Sequence, residues 1–142
     1  MAALKNLLFD SGPAVALLNV RDPAHTWAVD IIGGFTGQFH TTSAVITESM
    51  HFAYASSAGP AVLAEFVTAS RMQVHDYAQP AELREAVARM AKYADTPMDY
   101  ADATLVLLAE KLGVYDIMTL DWRGFTVFRT RDGRAFNIVS AL

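Results

Sequence analysis

Apolar and polar positions along this chain fall into two rhythms: short, nearly continuous apolar runs that suit buried strands, and longer stretches with helical spacing. Residues 4–10 form the first run, which closes on Asp10. Ser11-Gly12-Pro13 follows, with proline suited to the first turn of a helix reaching about residue 20. Residues 23–35 predict a second helix, stopped near Gly33-Gly34 and Gly37. Residues 40–43 predict a short strand, with Ser43 as the cap of a helix over 44–56, and Gly59-Pro60 opens another helix to about residue 70. Residues 72–77 alternate as a strand does, and residues 80–93 carry the charges of a solvated helix face. Thr96-Pro97-Met98-Asp99 reads as a helix start, with Thr96 as cap, Asp99 at the capping-box acid position and Gly113 as the stop. Residues 116–120 predict a strand, and 126–130 with 135–139 predict a closing hairpin around Asp132-Gly133. Strands alternating with helices imply an α/β domain whose mainly parallel sheet is covered on both faces. Ligands bind such sheets at the carboxyl ends of the strands, where Asp10 and Asp121 fall.

With no linker, repeat or low-complexity tract, residues 1–142 read as one domain. Composition then narrows the class. At 53% hydrophobic and 18% charged residues the chain is not disordered, and its mean hydropathy of +0.23 suits a doubly covered sheet or an apolar surface shared with a partner. Without cysteine there are neither disulfides nor thiolate metal sites. Lys5 and Asp10 interrupt any leader-like apolar region, and no run approaches the roughly 20 residues of a membrane span, so a soluble cytoplasmic protein is expected. The net charge of −4 offers no global attraction to nucleic acid.

Within this pattern four acids stand out because their neighbours are apolar: Asp10, Glu48, Asp102 and Asp121. An ionised carboxylate buried without a partner costs several kcal/mol or takes up a proton, so something positive must compensate it. Arg123 is the one basic residue beside any of the four, and a divalent cation is the natural compensator for oxygen ligands. At about 100° per residue, Asp102 falls on the apolar face shared by Met98, Ala101, Leu105, Val106, Leu108, Ala109 and Leu112, opposite Tyr100, Thr104 and Lys111. Glu48 flanks the stripe of Val45, Ile46, Phe52 and Ala53. Each acid also has a structural reading: Asp10 as a helix cap, Asp121 as the start of a turn, Asp99 as part of a capping box and Glu48 as a solvated helix residue. Asp102 has none, since no capping role is expected for it. His25, His40, His51 and His75 lack metal-ligand spacing, and Trp27 reads as core.

Leu7-Leu8-Phe9-Asp10-Ser11, residues 42–48, Met98-Asp99-Tyr100-Ala101-Asp102-Ala103 and Thr119-Leu120-Asp121 together resemble the signature blocks of PIN-domain nucleases, especially VapC-like toxin ribonucleases. The resemblance implies a three-layer α/β/α fold and an acidic quartet of Asp10, Glu48, Asp102 and Asp121 holding one or two Mg²⁺ or Mn²⁺ ions, with Asp99, Thr119 and Ser11 as auxiliaries. It departs at Gly12, where many relatives carry Asn or Ser. It further implies an RNA substrate, a homodimer and, in toxin members, an antitoxin protein. Arg123 and Arg129 lie near the last acid and are candidate phosphate contacts.

The leading expectation is therefore a metal-dependent endoribonuclease, the toxin of a toxin-antitoxin pair. The alternatives are a standalone RNA-processing nuclease and a PIN-fold interaction module without catalysis. A phosphoacceptor domain using Asp10 ranks last, because no second acid adjoins that residue.

Overall fold

The computed structural model describes residues 3–142; Met1 and Ala2, which the expected domain includes, lie outside them. Five strands form one sheet: β1 (Asn6–Phe9), β2 (Gln38–Thr42), β3 (Gln73–His75), β4 (Asp116–Met118) and β5 (Asn137–Ile138). Their order is β3-β2-β1-β4-β5 and every pairing is parallel. Each return to a parallel neighbour needs a crossover, and the helices α1 (Ser11–Leu18), α2 (His25–Gly34), α3 (Ser43–Ala53), α4 (Gly59–Ala69), α5 (Pro80–Ala91) and α6 (Tyr100–Leu112) provide it. The result is a three-layer α/β/α sandwich.

Central strand β1 is buried from both sides. Leu7 and Phe9 point into an apolar cluster with Ala14, Phe39, Leu63 and Met118, while Leu8 points into a second with Leu105, Ile117, Phe125 and Phe128. Helix α6 is enclosed nearly all round, its residues 103 to 109 all being buried. That corrects the two-faced wheel: Thr104, expected outward, is buried, and its hydroxyl meets that of Thr42 at 2.8 Å.

Several local expectations shift for identifiable reasons. Helix α3 begins at Ser43 and is capped by Thr42, whose Oγ1 accepts from Val45 N–H at 3.3 Å. Helix α6 begins three residues later than Thr96 would have set it. Asp99 is its N-cap and Asp102 returns the bond, Asp102 N–H to Asp99 Oδ1 at 2.7 Å and Asp99 N–H to Asp102 Oδ2 at 3.1 Å. The helix ends at Gly113 in the left-handed conformation, φ 65°, as the sequence predicts. The closing hairpin does not form as expected. Residues 122–125 make a short helix, α7 (Trp122–Phe125), a single antiparallel bridge joins Arg129 to Ala135, and Asn137–Ile138 pairs with β4 in parallel. The Phe125, Phe128 and Phe136 rings, packed edge to face at 5.2 and 5.3 Å, pull this segment under the sheet. No helix among the described residues is long and apolar enough to cross a membrane.

A buried clasp joins α5 to α6. Arg89 is 5% exposed, and its Nε and Nη2 donate to the two oxygens of Glu110 at 3.2 and 2.8 Å while Nη1 meets Glu85 at 3.2 Å. Arg89→Ala leaves Glu110 without its cation, but that carboxylate keeps some solvent and the Arg131 N–H bond of 2.7 Å. The expected loss, read by urea denaturation, is about 2 kcal/mol, below the figure for a fully buried broken pair.

Candidate acidic site at the carboxyl edge of the sheet

Asp10 follows β1 directly, and its N–H still donates to Met118 O at 3.1 Å, so it sits on the last rung of the β1–β4 ladder. Both its oxygens are occupied: Ser11 N–H donates to Oδ1 at 2.7 Å and Thr119 Oγ1 to Oδ2 at 2.6 Å. The Thr119 hydroxyl also accepts from Asp121 N–H at 2.9 Å, which ties the acids at the ends of β1 and β4 through one side chain. Asp121 caps α7, its Oδ1 accepting from Gly124 N–H at 2.9 Å. From α3, Glu48 reaches back to Ser11, whose hydroxyl donates to Oε1. Asp99 and Asp102, at the start of α6, complete the edge.

The charges of these groups act on one another. Burial first of all, and then Glu48 and Asp99, push the Asp10 carboxyl from 3.8 to about 6 against the pull of its two hydrogen bonds. Asp102 is pushed to about 8, again chiefly by burial, then by Asp99, Asp10 and Asp121. The sequence-predicted acids are thus brought together by β1, α3, α6 and the β4–α7 turn. None of the five, Asp99 included, forms an ion pair among the described residues. They do not close round a single point: among the described residues, no three His, Asp or Glu side chains form a ready-made ion cage. The donor set nevertheless fits a hard cation, being all oxygen and strongly self-repelling. Each carboxylate oxygen can accept more than one bond, so the present hydrogen bonds leave room for a ligand role.

The auxiliaries divide. Thr119 and Ser11 orient acids directly. Asp99 is a helix cap that also faces the cluster, and Asp102 proves to have the capping role not expected of it. Arg129 is otherwise engaged, its Nη1 donating to the carbonyls of Thr126, Val127 and Phe128 at 3.0, 3.1 and 2.9 Å, while Arg123 is exposed. At Gly12, a Cβ would meet the Leu120 side chain at 3.0 to 3.3 Å, so Leu120 fills the space in which a longer residue would stand. Trp27 is partly buried and donates to Ser140 O at 3.1 Å. His40 and His75 lie on neighbouring strands, their rings 5.7 Å apart, and burial favours their neutral forms. The turn expected from Asp121 through Trp122, Arg123 and Gly124 is present as the start of α7, with the Gly124 N–H holding the Asp121 carboxylate.

The Asp10 and Asp102 displacements predict how the metal-free protein responds to pH. Their folded values lie above the unfolded one, so the stability they contribute is complete below about pH 4 and is lost as pH rises through about 6 and then about 8. Between pH 7 and pH 9, Asp102 alone should cost about 1 kcal/mol, and its replacement by Asn should flatten that part of a melting-temperature profile.

Five parallel strands between helical layers define a three-layer α/β/α fold of the PIN-like kind. Among solved structures the fold is similar to that of VapC20 of Mycobacterium tuberculosis, described as a sarcin-ricin loop cleaving toxin. The TM-score is 0.73, identity is 16%, and the match covers 82% of this chain and 90% of that one. At that identity the likeness carries the fold. No family model and no curated protein matches the chain.

Proposed function

We propose that this protein is a divalent-metal-dependent endoribonuclease acting through Asp10, Glu48, Asp102 and Asp121, and that it is the toxin of a toxin-antitoxin pair. The observation that carries the reading is the gathering of uncompensated acids, from four separate stretches of chain, at the edge where α/β sheets bind ligands. The likeness to a fold found in an RNA-cleaving toxin supports it.

Asp10 at the end of β1, Asp121 at the N-cap of α7 and Asp102 would hold one or two Mg²⁺ or Mn²⁺ ions, with Asp99 at the margin. When bound, the metal supplies positive charge for the scissile phosphate and makes water a stronger acid. The chain's own groups do the rest. Thr119 fixes the Asp10 carboxylate, and Ser11 fixes one oxygen of Glu48. The other oxygen of Glu48 is left to orient the attacking water and accept its proton. Arg123 offers a phosphate contact from the exposed face of α7. An antitoxin and a second copy of the chain are the partners this reading implies.

One observation favours a second reading. Asp99, Asp102 and Asp121 all serve as helix-capping groups and no ion cage is preformed among the described residues, as a PIN-fold interaction module without catalysis would have it. Incubation of RNA with the protein in Mg²⁺ or Mn²⁺, against a chelator control, separates the two. Metal-dependent internal cleavage is expected of the nuclease. Intact RNA in both ions is expected of the module.

A further inference from the structure

Resting on the nuclease reading, we infer that the groove beside the acids, between α3 and α6, is a subsite for one unstacked nucleobase next to the scissile phosphate. The groove is open, with a volume of about 650 Å³, and Thr47, Glu48, His51, Phe52, Asp99 and Tyr100 line it. Residues 48, 51 and 52 stand at i, i+3 and i+4 of α3, so Glu48 and the two rings share one helix face, a single turn apart. Whatever reacts beside Glu48 therefore continues onto Phe52. That ring is 52% exposed, so its face is open to a ligand, and it meets the His51 ring edge to face at 5.7 Å. Across the groove Tyr100 is held in place by its hydroxyl, which donates to Tyr77 O at 2.6 Å.

Charge selects the occupant. Glu48 and Asp99 both line the groove, so a phosphate or an acidic peptide is repelled there. A flat, uncharged aromatic ring is not. Bases stack on aromatic side chains without regard to sequence, while the Asp99 carboxylate, the Thr47 hydroxyl and the His51 ring offer hydrogen-bonding groups to a base edge. The groove thus separates the two parts of a nucleotide, base on the rings and phosphate outside the groove, where a cation would neutralise the acids.

The test uses short single-stranded RNAs carrying 2-aminopurine at successive positions, with binding read by fluorescence quenching in Ca²⁺ and cleavage by steady-state kinetics in Mg²⁺. One position should be quenched by the native protein. Phe52→Ala should remove that quenching and raise KM by roughly 5- to 100-fold, the range of one base–aromatic stack, with kcat within about twofold. Phe52→Tyr should restore both. RNA cleaved with no position quenched and KM indifferent to Phe52 overturns the subsite, leaves the groove to a protein partner and spares the nuclease reading. Phe52-dependent quenching without cleavage in either metal keeps the base site and overturns the nuclease. Absence of both overturns both.

Discussion

Asp10→Asn is expected to abolish RNA cleavage, by at least about a thousandfold, while making the metal-free protein more stable at pH 8. The two effects have one cause. Asp10 is buried at a strand end with no cation, and the displacement of its carboxyl from 3.8 to about 6 corresponds to ~3 kcal/mol for holding the charge in the folded protein at alkaline pH. Asparagine carries no charge and keeps the shape. Its amide nitrogen cannot accept from Thr119, so that hydroxyl must turn, which offsets part of the gain and leaves about 1–2 kcal/mol, a few degrees in melting temperature. Catalysis loses a metal-holding charge worth several kcal/mol of transition-state stabilisation. Calorimetric melting and a cleavage assay on the same preparation check it. Retained cleavage, or a lower melting temperature at pH 8, contradicts it.

Gly124→Ala should damage the fold and the site together. A Cβ on Gly124 would lie 2.3 Å from Asp121 Oδ2 and 2.7 and 2.8 Å from the ring of buried Phe128. Alanine normally gains about 1 kcal/mol over glycine inside a helix. Here overlap dominates, because the Phe128 ring is fixed by its contacts with Phe125 and Tyr93. The expected loss is about 3 kcal/mol, roughly 5–10 °C in melting temperature, and the Asp121 carboxylate must turn out of its present place in the cluster. Cleavage should fall at temperatures where the variant is still folded. An alanine variant with native melting temperature and native activity would show that Asp121 is not held as described.

Much of this was legible along the chain because the sheet is buried on both faces. Leu7 to Phe9 and Ile117 to Met118 carry no polar residue, and the acids that end those runs mark the carboxyl edge directly. What was not legible was set by tertiary context. Thr104 is polar yet buried, since a hydroxyl on β2 waits for it. Thr42 rather than Ser43 caps α3, because the helix begins directly where β2 ends, and Asp99 rather than Thr96 caps α6, because Asp99 and Asp102 bond reciprocally across its first turn. The closing hairpin was expected from its turn residues and does not form, because its aromatic residues are drawn into the core. Apolar neighbours singled out the four acids, and the resemblance to PIN-domain nucleases grouped them as a quartet. Their hydrogen bonds through Ser11 and Thr119 came only with the fold.

The central claim is that these carboxylates repel one another in one place and that a cation relieves them. Titration calorimetry of Mn²⁺ into the metal-free protein at pH 7, in two buffers of different protonation enthalpy, tests it most directly. With Asp102 near 8 and Asp10 near 6, the free protein holds about one extra proton, and binding should be saturable and release it. Asp102→Asn should remove most of that release. Absence of saturable heat, or binding with no proton exchanged, would contradict the account.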